Sequence, residues 1–169
     1  MSFFALRPAT PGDRAFVADS WRNSIRAATD ESLAIDWESF RAHHDARIDA
    51  ILDSKDTRVT IAHPPGDDVT IYGFIADGGD SVVHMIFVKA AWRRQGIASA
   101  LWGTRDHRNV TVTAWTSHMS KWIWPRFGPL EMGRQAKTCV CKKCSHKHHV
   151  YESGSARPGL RYVPLLEIK

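Results

Sequence analysis

The segment from Val82 to Val88 constrains the fold more than any other part of this sequence. Its residues are apolar except for His84. A strand that is apolar on both faces is typical of the centre of a sheet that is covered on each side. The chain then turns at Arg93-Arg94-Gln95-Gly96 and opens a short helix through Leu101. We therefore predict a fold built around a central strand that is followed by a tight turn and a helix.

Strand and helix signals alternate along most of the chain. Strands are predicted over residues 3–7, 58–62, 69–75, 82–88, 110–115 and 160–166, and helices after Thr10, over 36–52, after Gly96 and over 119–124. This order predicts an α/β (α+β) domain with a mixed, largely antiparallel central sheet flanked by helices. We expect residues 1–133 to form the core, with residues 134–169, a basic segment rich in Cys and His that includes the last strand, packed on the same domain.

The composition is that of a globular protein. The 169 residues are 43% hydrophobic and 24% charged, which suits one domain. No run of about 18 apolar residues is present, so no membrane-spanning helix and no membrane partner are expected. The first residues lack the basic and apolar pattern of a secretory signal. The three cysteines lie close together and cannot all pair with one another, which favours a reducing compartment and predicts a cytoplasmic protein.

The positive charge is concentrated at the C-terminal end. Residues 134–169 hold eight Lys and Arg against two acidic residues, a net charge of +6, whereas the rest of the chain carries −1. A basic segment of this kind attracts nucleic acid, an acidic protein or anionic ligands. A solvated, solubilising segment explains the same charge, and both interpretations stay open.

The turn before the predicted short helix has the features of a phosphate site. Gly96, with the small Ala98 and Ser99 after it, lets a ligand approach the main chain closely. The start of a helix offers unpaired N–H groups, and Arg93 and Arg94 add positive charge. No Gly-Lys-Ser/Thr follows, and the three-glycine dinucleotide spacing is missing. We predict that this turn binds a phosphate or pyrophosphate of another kind of ligand.

These residues resemble the signature of the GNAT superfamily of acyl-CoA-dependent N-acyltransferases. That signature reads Arg/Gln-x-x-Gly-x-Gly/Ala after a central strand, and residues 93–98 fit it, with Val88 eight positions before Gly96. The opening over residues 6–13 and the element order over residues 3–127 also resemble the family. Asp19-Ser20-Trp21 and Val83-His84 further resemble small GNAT-like proteins of phage genomes, for which the host cytoplasm is the expected location.

The resemblance implies a GNAT-like fold and a bound acetyl-CoA or other acyl-CoA. Main-chain groups of Phe87 and Val88 would hold the pantetheine arm, and the strand over 110–115 would diverge from Val88 to admit the thioester. An amine would attack the thioester directly, and its identity is not indicated. The residues expected to bind the coenzyme are Phe87, Val88, Arg93, Arg94, Gln95, Gly96, Ile97, Ala98 and Ser99.

The sequence departs from the family pattern at the catalytic positions. Many relatives carry a Glu on the central strand as general base, whereas here His84 is the titratable group of that strand. His84 is therefore a candidate base, and a buried structural histidine is the alternative. Many relatives also use a Tyr to protonate the leaving thiolate. Here Ser117, His118 and Ser120 are candidates for that role, and capping of a helix explains them equally.

Cysteine and histidine cluster near the C-terminus. Cys141 and Cys144 have the C-x-x-C spacing of a zinc knuckle, and Cys139 with one histidine would complete a tetrahedral set. The sequence thus predicts one structural Zn²⁺, while free thiols, a redox pair and a solvated loop stay open as alternatives. The candidate metal ligands are Cys139, Cys141, Cys144, His146, His148 and His149.

Two other functions compete with acyl transfer to a small amine. Four aromatic residues at the end of the fifth predicted strand and beyond it are candidates for stacking on a base, and core packing explains at least half of them: Trp115, Trp122, Trp124 and Phe127. Together with the basic segment they are compatible with a GNAT-like nucleic-acid modification enzyme similar to the phage Mom-type proteins. The missing Glu and Tyr favour instead a non-catalytic GNAT-fold binding protein. The sequence does not indicate an oligomeric state.

Overall fold

The computed structural model describes residues 2–28, 30–79, 82–103, 110–112, 132–140, 147–153 and 160–162. The helices are α1 (Arg14–Arg26), α2 (Asp30–Ala34), α3 (Trp37–Leu52) and α4 (Ile97–Trp102), with short 3-10 helices at Pro11–Asp13 and Ala90–Trp92. The strands are β1 (Ala5–Pro8), β2 (Thr57–His63), β3 (Gly73–Gly78), β4 (Val82–Val88), β5 (Val110–Val112), β6 (Met132–Val140), β7 (Lys147–Ser153) and β8 (Leu160–Tyr162). Within these ranges no helix has the length and apolar character needed to cross a membrane.

Six strands form one sheet in the order β1-β2-β3-β4-β5-β8. The pairs from β1 to β4 are antiparallel, whereas β5 is parallel to both β4 and β8. β6 and β7 form a separate antiparallel hairpin. The predicted mixed, largely antiparallel sheet flanked by helices is therefore confirmed over the described part of the chain.

The core lies on both faces of the sheet. On one face, Phe74 of β3 and Met85 of β4 pack with buried residues of α1 and α3, among them Trp21. On the other face, Ile75 of β3 packs in a cluster that includes Leu101 of α4. β4 is thus covered on both sides, which explains why its sequence is apolar at almost every position.

A buried ion pair joins β1 to the start of the first helical region. Arg7 Nη1 and Nη2 donate to the two carboxylate oxygens of Asp13 at 2.7 and 2.9 Å. The amide of Thr10 donates to the same carboxylate at 2.7 Å. The hydrogen bond from the Arg7 guanidinium is the main cause that holds the pKa of Asp13 well below its usual range.

Several elements differ from the sequence prediction, among them β6 and β7, for which no strand is predicted. β3 begins at Gly73, because Asp67 Oδ1 accepts hydrogen bonds from the amides of Val69 and Thr70, at 2.9 and 3.0 Å, and holds them in a turn. Between the first two predicted helices the structure has a further helix, α2, which starts at Asp30, and acidic residues are favourable at a helix N-terminus. The predicted helix over 119–124 lies outside the described residues.

The ion pair gives a prediction about stability. Asp13→Asn leaves the largely buried Arg7 without its counter-charge, so the free energy of unfolding should fall by about 3 kcal/mol at neutral pH. The lowered pKa of Asp13 stabilises the fold fully above about pH 4, the ordinary pKa of aspartate, and this contribution is lost as the pH falls toward the folded-state pKa. Denaturant unfolding of both proteins at several pH values should show the difference shrinking below about pH 4.

The matched control is Asp53→Asn. Asp53 pairs with Arg14 at 2.8 Å, but its side chain is 67% exposed. Its loss should cost less than about 1 kcal/mol, because solvent screens an exposed pair. Equal losses in the two variants would contradict a special role for the buried pair.

Candidate active site

The turn between β4 and α4 has an unusual backbone conformation. Arg94 has a φ of 64° and Gly96 a φ of 83°, both in the left-handed region. A Cβ built on Gly96 would meet no atom within 4 Å. Glycine is therefore favoured at this position by the backbone angle rather than by a lack of space.

Packed residues fix both sides of this turn. Before it, the indole of Trp92 stacks on the ring of Tyr72 with centroids 4.0 Å apart, and the amide of Lys89 donates to the Tyr72 carbonyl at 2.9 Å. After it, Ile97 is 1% exposed and belongs to the core beneath α4. The exposed residues 93–96 are consequently presented to solvent from two rigid anchors.

The structure brings the predicted coenzyme-binding residues together at one end of β4. The Arg93 side chain folds back, and its Nε donates to the carbonyl of Val88 at 3.1 Å. The first hydrogen bond inside α4 runs from the amide of Ala100 to the carbonyl of Gly96 at 2.9 Å. The amides of Ile97 and Ala98 precede it, in the first turn, where a helix supplies no carbonyl of its own.

The strands β4 and β5 are paired over a short stretch. Val82 is opposite Thr111 and Val83 is opposite Val112, and these are the paired positions within the described residues. On its other side β4 is paired as far as Val88, which is opposite Gly73. The predicted divergence of the two strands beyond this point falls on residues outside the described ranges, as do Ser117, His118 and Ser120.

His84 lies at an irregularity in β4. Asp77 of β3 is opposite Val83 and Ala76 is opposite Met85, so His84 is the additional residue of a β-bulge. Its side chain is buried, and a Cβ on Gly78 would lie 2.7 Å from His84 Nε2. The absence of a side chain at Gly78 therefore makes room for the imidazole.

The surroundings of His84 set its protonation state. Burial lowers the pKa of His84 to about 4, so the imidazole is neutral at physiological pH. The indole of Trp21 in α1 lies on the same side, with ring centroids 6.3 Å apart. Trp21 is fully buried, and its Nε1 donor has no acceptor among the described residues.

The sequence predicts His84 as a candidate base, whereas Trp21 enters only through the resemblance, and the proximity of the two rings is not predicted. No sequence pattern indicates that Gly78 lies beside the imidazole of His84. The sequence signal that could have identified Trp21 is an indole, which carries a polar N–H, on the helix that covers the central strand.

The predicted metal ligands are only partly within the described residues. Cys139 of β6 is directly opposite His148 of β7, and His149 is opposite Thr138. Cys141, Cys144 and His146 lie outside the described ranges. Among the side chains that the structure describes, no group of three metal-binding residues is present.

Comparisons with known proteins give a consistent family. An acetyltransferase (GNAT) domain model matches residues 25–120. A GCN5-related N-acetyltransferase from Rhodopseudomonas palustris is similar, with 22% identity, a TM-score of 0.55 and coverage of 87% of this chain and 91% of that one. Another from Ralstonia eutropha JMP134 has 14% identity, a TM-score of 0.56 and coverage of 82% and 99%.

At these identities the structural likeness shows the fold. The search of curated proteins found no match. The family model, however, spans more than half of the chain and includes β4, His84 and the turn at Gly96. The chain therefore belongs to the GNAT acetyltransferase family.

Proposed function

We propose that this protein is an acyl-CoA-dependent N-acyltransferase that transfers an acetyl group to an amine. The observation that carries the proposal is the exposed, left-handed turn at Gly96, which lies between β4 and α4 inside the segment that matches the GNAT domain. Membership of the family indicates the class of reaction, and the turn is the part of the chain that we expect to bind the coenzyme.

The turn is suited to the diphosphate of CoA. The amides of the first turn of α4 and the exposed side chains of Arg93 and Arg94 lie beside one another and favour an anion. The main chain at Phe87 and Val88 would bind the pantetheine arm. Because Arg93 Nε occupies the Val88 carbonyl in the described structure, a pantetheine group that uses this carbonyl would displace the arginine.

The reaction requires attack by a neutral amine on the thioester carbonyl carbon. A C–N bond forms, the C–S bond breaks, the nitrogen loses a proton and CoA leaves as a thiol. The protein has to orient the two reactants, stabilise the developing oxyanion and accept one proton. Ser117, His118 and Ser120 stay candidates for protonating the thiolate.

His84 is the candidate proton acceptor. Its imidazole is unprotonated at neutral pH and is therefore able to accept a proton. An imidazole with a pKa near 4 is nevertheless a weak base, so the amine must bind in its neutral form or lose its proton late in the attack. Transfer to water would then return His84 to its neutral state.

A second candidate function is modification of nucleic acid by the same fold. The net charge of +6 over residues 134–169 supports it, because such a segment neutralises phosphates. A shift of duplex DNA in a gel that weakens with salt and is lost on deletion of residues 137–149 would favour this function. A location in the cytoplasm, or in a host cytoplasm, stays a prediction from the sequence.

The proposed activity is tested by release of CoA thiol from acetyl-CoA against a panel of primary amines and polyamines. We expect at least one amine to accelerate thiol release, with the acetylated amine detected by mass spectrometry. Binding of CoA without turnover of any amine would support the non-catalytic binding protein. No CoA binding by calorimetry would contradict the proposal.

The role of the turn is tested by Gly96→Ala. The left-handed φ should cost about 1 kcal/mol of stability and, because the turn shifts to relieve the strain, should weaken CoA binding about tenfold. Gly66→Ala is the matched control, since Gly66 has a φ of 81° and equally open surroundings but lies in another turn. It should lose similar stability and keep its CoA affinity; equal CoA affinity in both variants would contradict a coenzyme role for the turn.

The role of His84 is tested by its pH dependence. Because burial lowers the pKa of His84 to about 4, the kcat/KM profile should lack an ionisation of this residue near pH 6.5, and its ring proton signals should not move between about pH 5.5 and 8 in NMR spectra. His84→Gln should lower kcat by about a hundredfold with an unchanged Kd for CoA. A variant with full kcat would assign His84 to packing alone.

A further inference from the structure

The arginines of α1 and α3 differ in whether they have an acidic partner. Three of them form ion pairs with aspartates: Arg14, Arg22 and Arg41. Arg26, in the last turn of α1, is partly buried, and it forms no ion pair with a carboxylate in the part of the chain that the structure describes. Since removing a cation from water without a counter-charge is costly, the position of Arg26 requires an explanation.

The guanidinium of Arg26 is held in place by contacts with its neighbours. Nη2 donates to the carbonyl of Ile35 at 3.1 Å. Cζ lies 4.8 Å from the centroid of the Trp37 ring and 5.4 Å from that of the Phe40 ring, and the two rings stack with centroids 6.0 Å apart. The ring faces attract the cation but offer no oxygen acceptor for its N–H groups.

One nitrogen of this guanidinium has no acceptor. Nη1 is shielded from solvent and has no hydrogen-bond partner among the described residues. Such donors are rare in folded proteins, and an additional bound group is one physical explanation for them. A carboxylate suits the edge of a guanidinium, because two parallel N–H···O bonds join the two planar groups. Trp37 lies over the guanidinium and is 40% exposed, so its indole can move aside for such a group.

The direction of α1 places Arg26 on the far side of His84 from the turn that follows β4. Phe16, near the start of α1, contacts Phe87, near the end of β4, with ring centroids 6.2 Å apart. Trp21, in the middle of the helix, lies 6.3 Å from the ring of His84, so helix and strand run in opposite directions. Arg26 follows Trp21 by five residues, which is about 7.5 Å along a helix. The order along α1 is therefore the end of β4, then His84, then Arg26.

We propose that the acceptor is an amine that also carries a carboxylate, and that Arg26 binds the carboxylate through Nη1. The proposal rests on the acyl transfer proposed above. In that reaction the amine has to reach His84, so a group bound farther along α1 belongs to the acceptor and not to the coenzyme. Because Arg26 lies about 7.5 Å beyond Trp21 on the helix, the carboxylate is several bonds from the amine, as in an ω-amino acid. Arg26 thereby selects the acceptor.

The proposal is tested by binding of δ-aminovalerate in comparison with n-pentylamine, in which a methyl group replaces the carboxylate. Calorimetry on the full chain, with and without CoA, should show about tenfold tighter binding of δ-aminovalerate. Arg26→Gln should remove the difference between the two amines. Arg47→Gln is the matched control and should keep it, because Arg47 is also partly buried but lies ten residues beyond Trp37 on α3, about 15 Å away along the helix.

Three results would overturn the assignment. They are equal affinity of the wild type for the two amines, tighter binding of the phosphonate analogue of δ-aminovalerate, and an equal loss in the two variants. Circular dichroism verifies that each variant is folded, and the comparison of the two amines on the wild type does not depend on any variant.

Turnover distinguishes this proposal from the acyl transfer itself. Arg26→Gln should raise the KM for δ-aminovalerate about tenfold with little change in kcat, because the carboxylate is bound equally in the ground state and the transition state. Turnover of both amines with equal kcat/KM would support acyl transfer and overturn the role of Arg26. Carboxylate-dependent binding that Arg26→Gln removes, without turnover of any amine, would contradict the transfer and retain the carboxylate site.

Discussion

The antiparallel pairing of β3 with β4 is the contact on which the fold and the candidate site both depend. At one end, Gly73 has no side chain, and a Cβ there would lie 2.4 Å from the Phe87 carbonyl oxygen, so only glycine permits this approach of the strands. That pairing carries β4 directly to the turn at Gly96. At the other end, the register shift after Ala76 creates the bulge at His84. Both parts of the candidate site are thus set by one strand pair.

The turn at Gly96 combines strain with anchoring. Two left-handed residues, one of them the non-glycine Arg94, cost free energy that a free peptide would avoid. The stack of Trp92 on Tyr72 and the burial of Ile97 fix the chain on each side and hold the turn in this form. Because the main-chain groups of the turn are already fixed, binding of a ligand costs less conformational entropy of the protein. This is an advantage for the proposed coenzyme site.

The position of His84 shows how burial changes the chemistry of a residue type. In water an imidazole titrates near pH 6.5 and serves readily as a base. Here the sheet, Gly78 and the indole of Trp21 surround the ring, and its pKa falls to about 4. The family's usual carboxylate would suffer the opposite shift on burial, toward a higher pKa and a stronger base. The ring of His84 therefore stays neutral, and its proposed role as proton acceptor is best suited to acceptors that bind as neutral amines.

The sequence by itself determined the central strand Val82–Val88, the helix that follows Gly96 and the largely antiparallel sheet, because apolar periodicity and glycine placement record local burial and local backbone angles. It also placed the cysteines and histidines in one segment. Only the tertiary structure decided that His84 lies on a bulge beside Trp21, that its pKa is lowered, and that Cys139 is opposite His148. Those features depend on register and on contacts between residues distant in the chain, and no local pattern specifies the alignment of one strand against another.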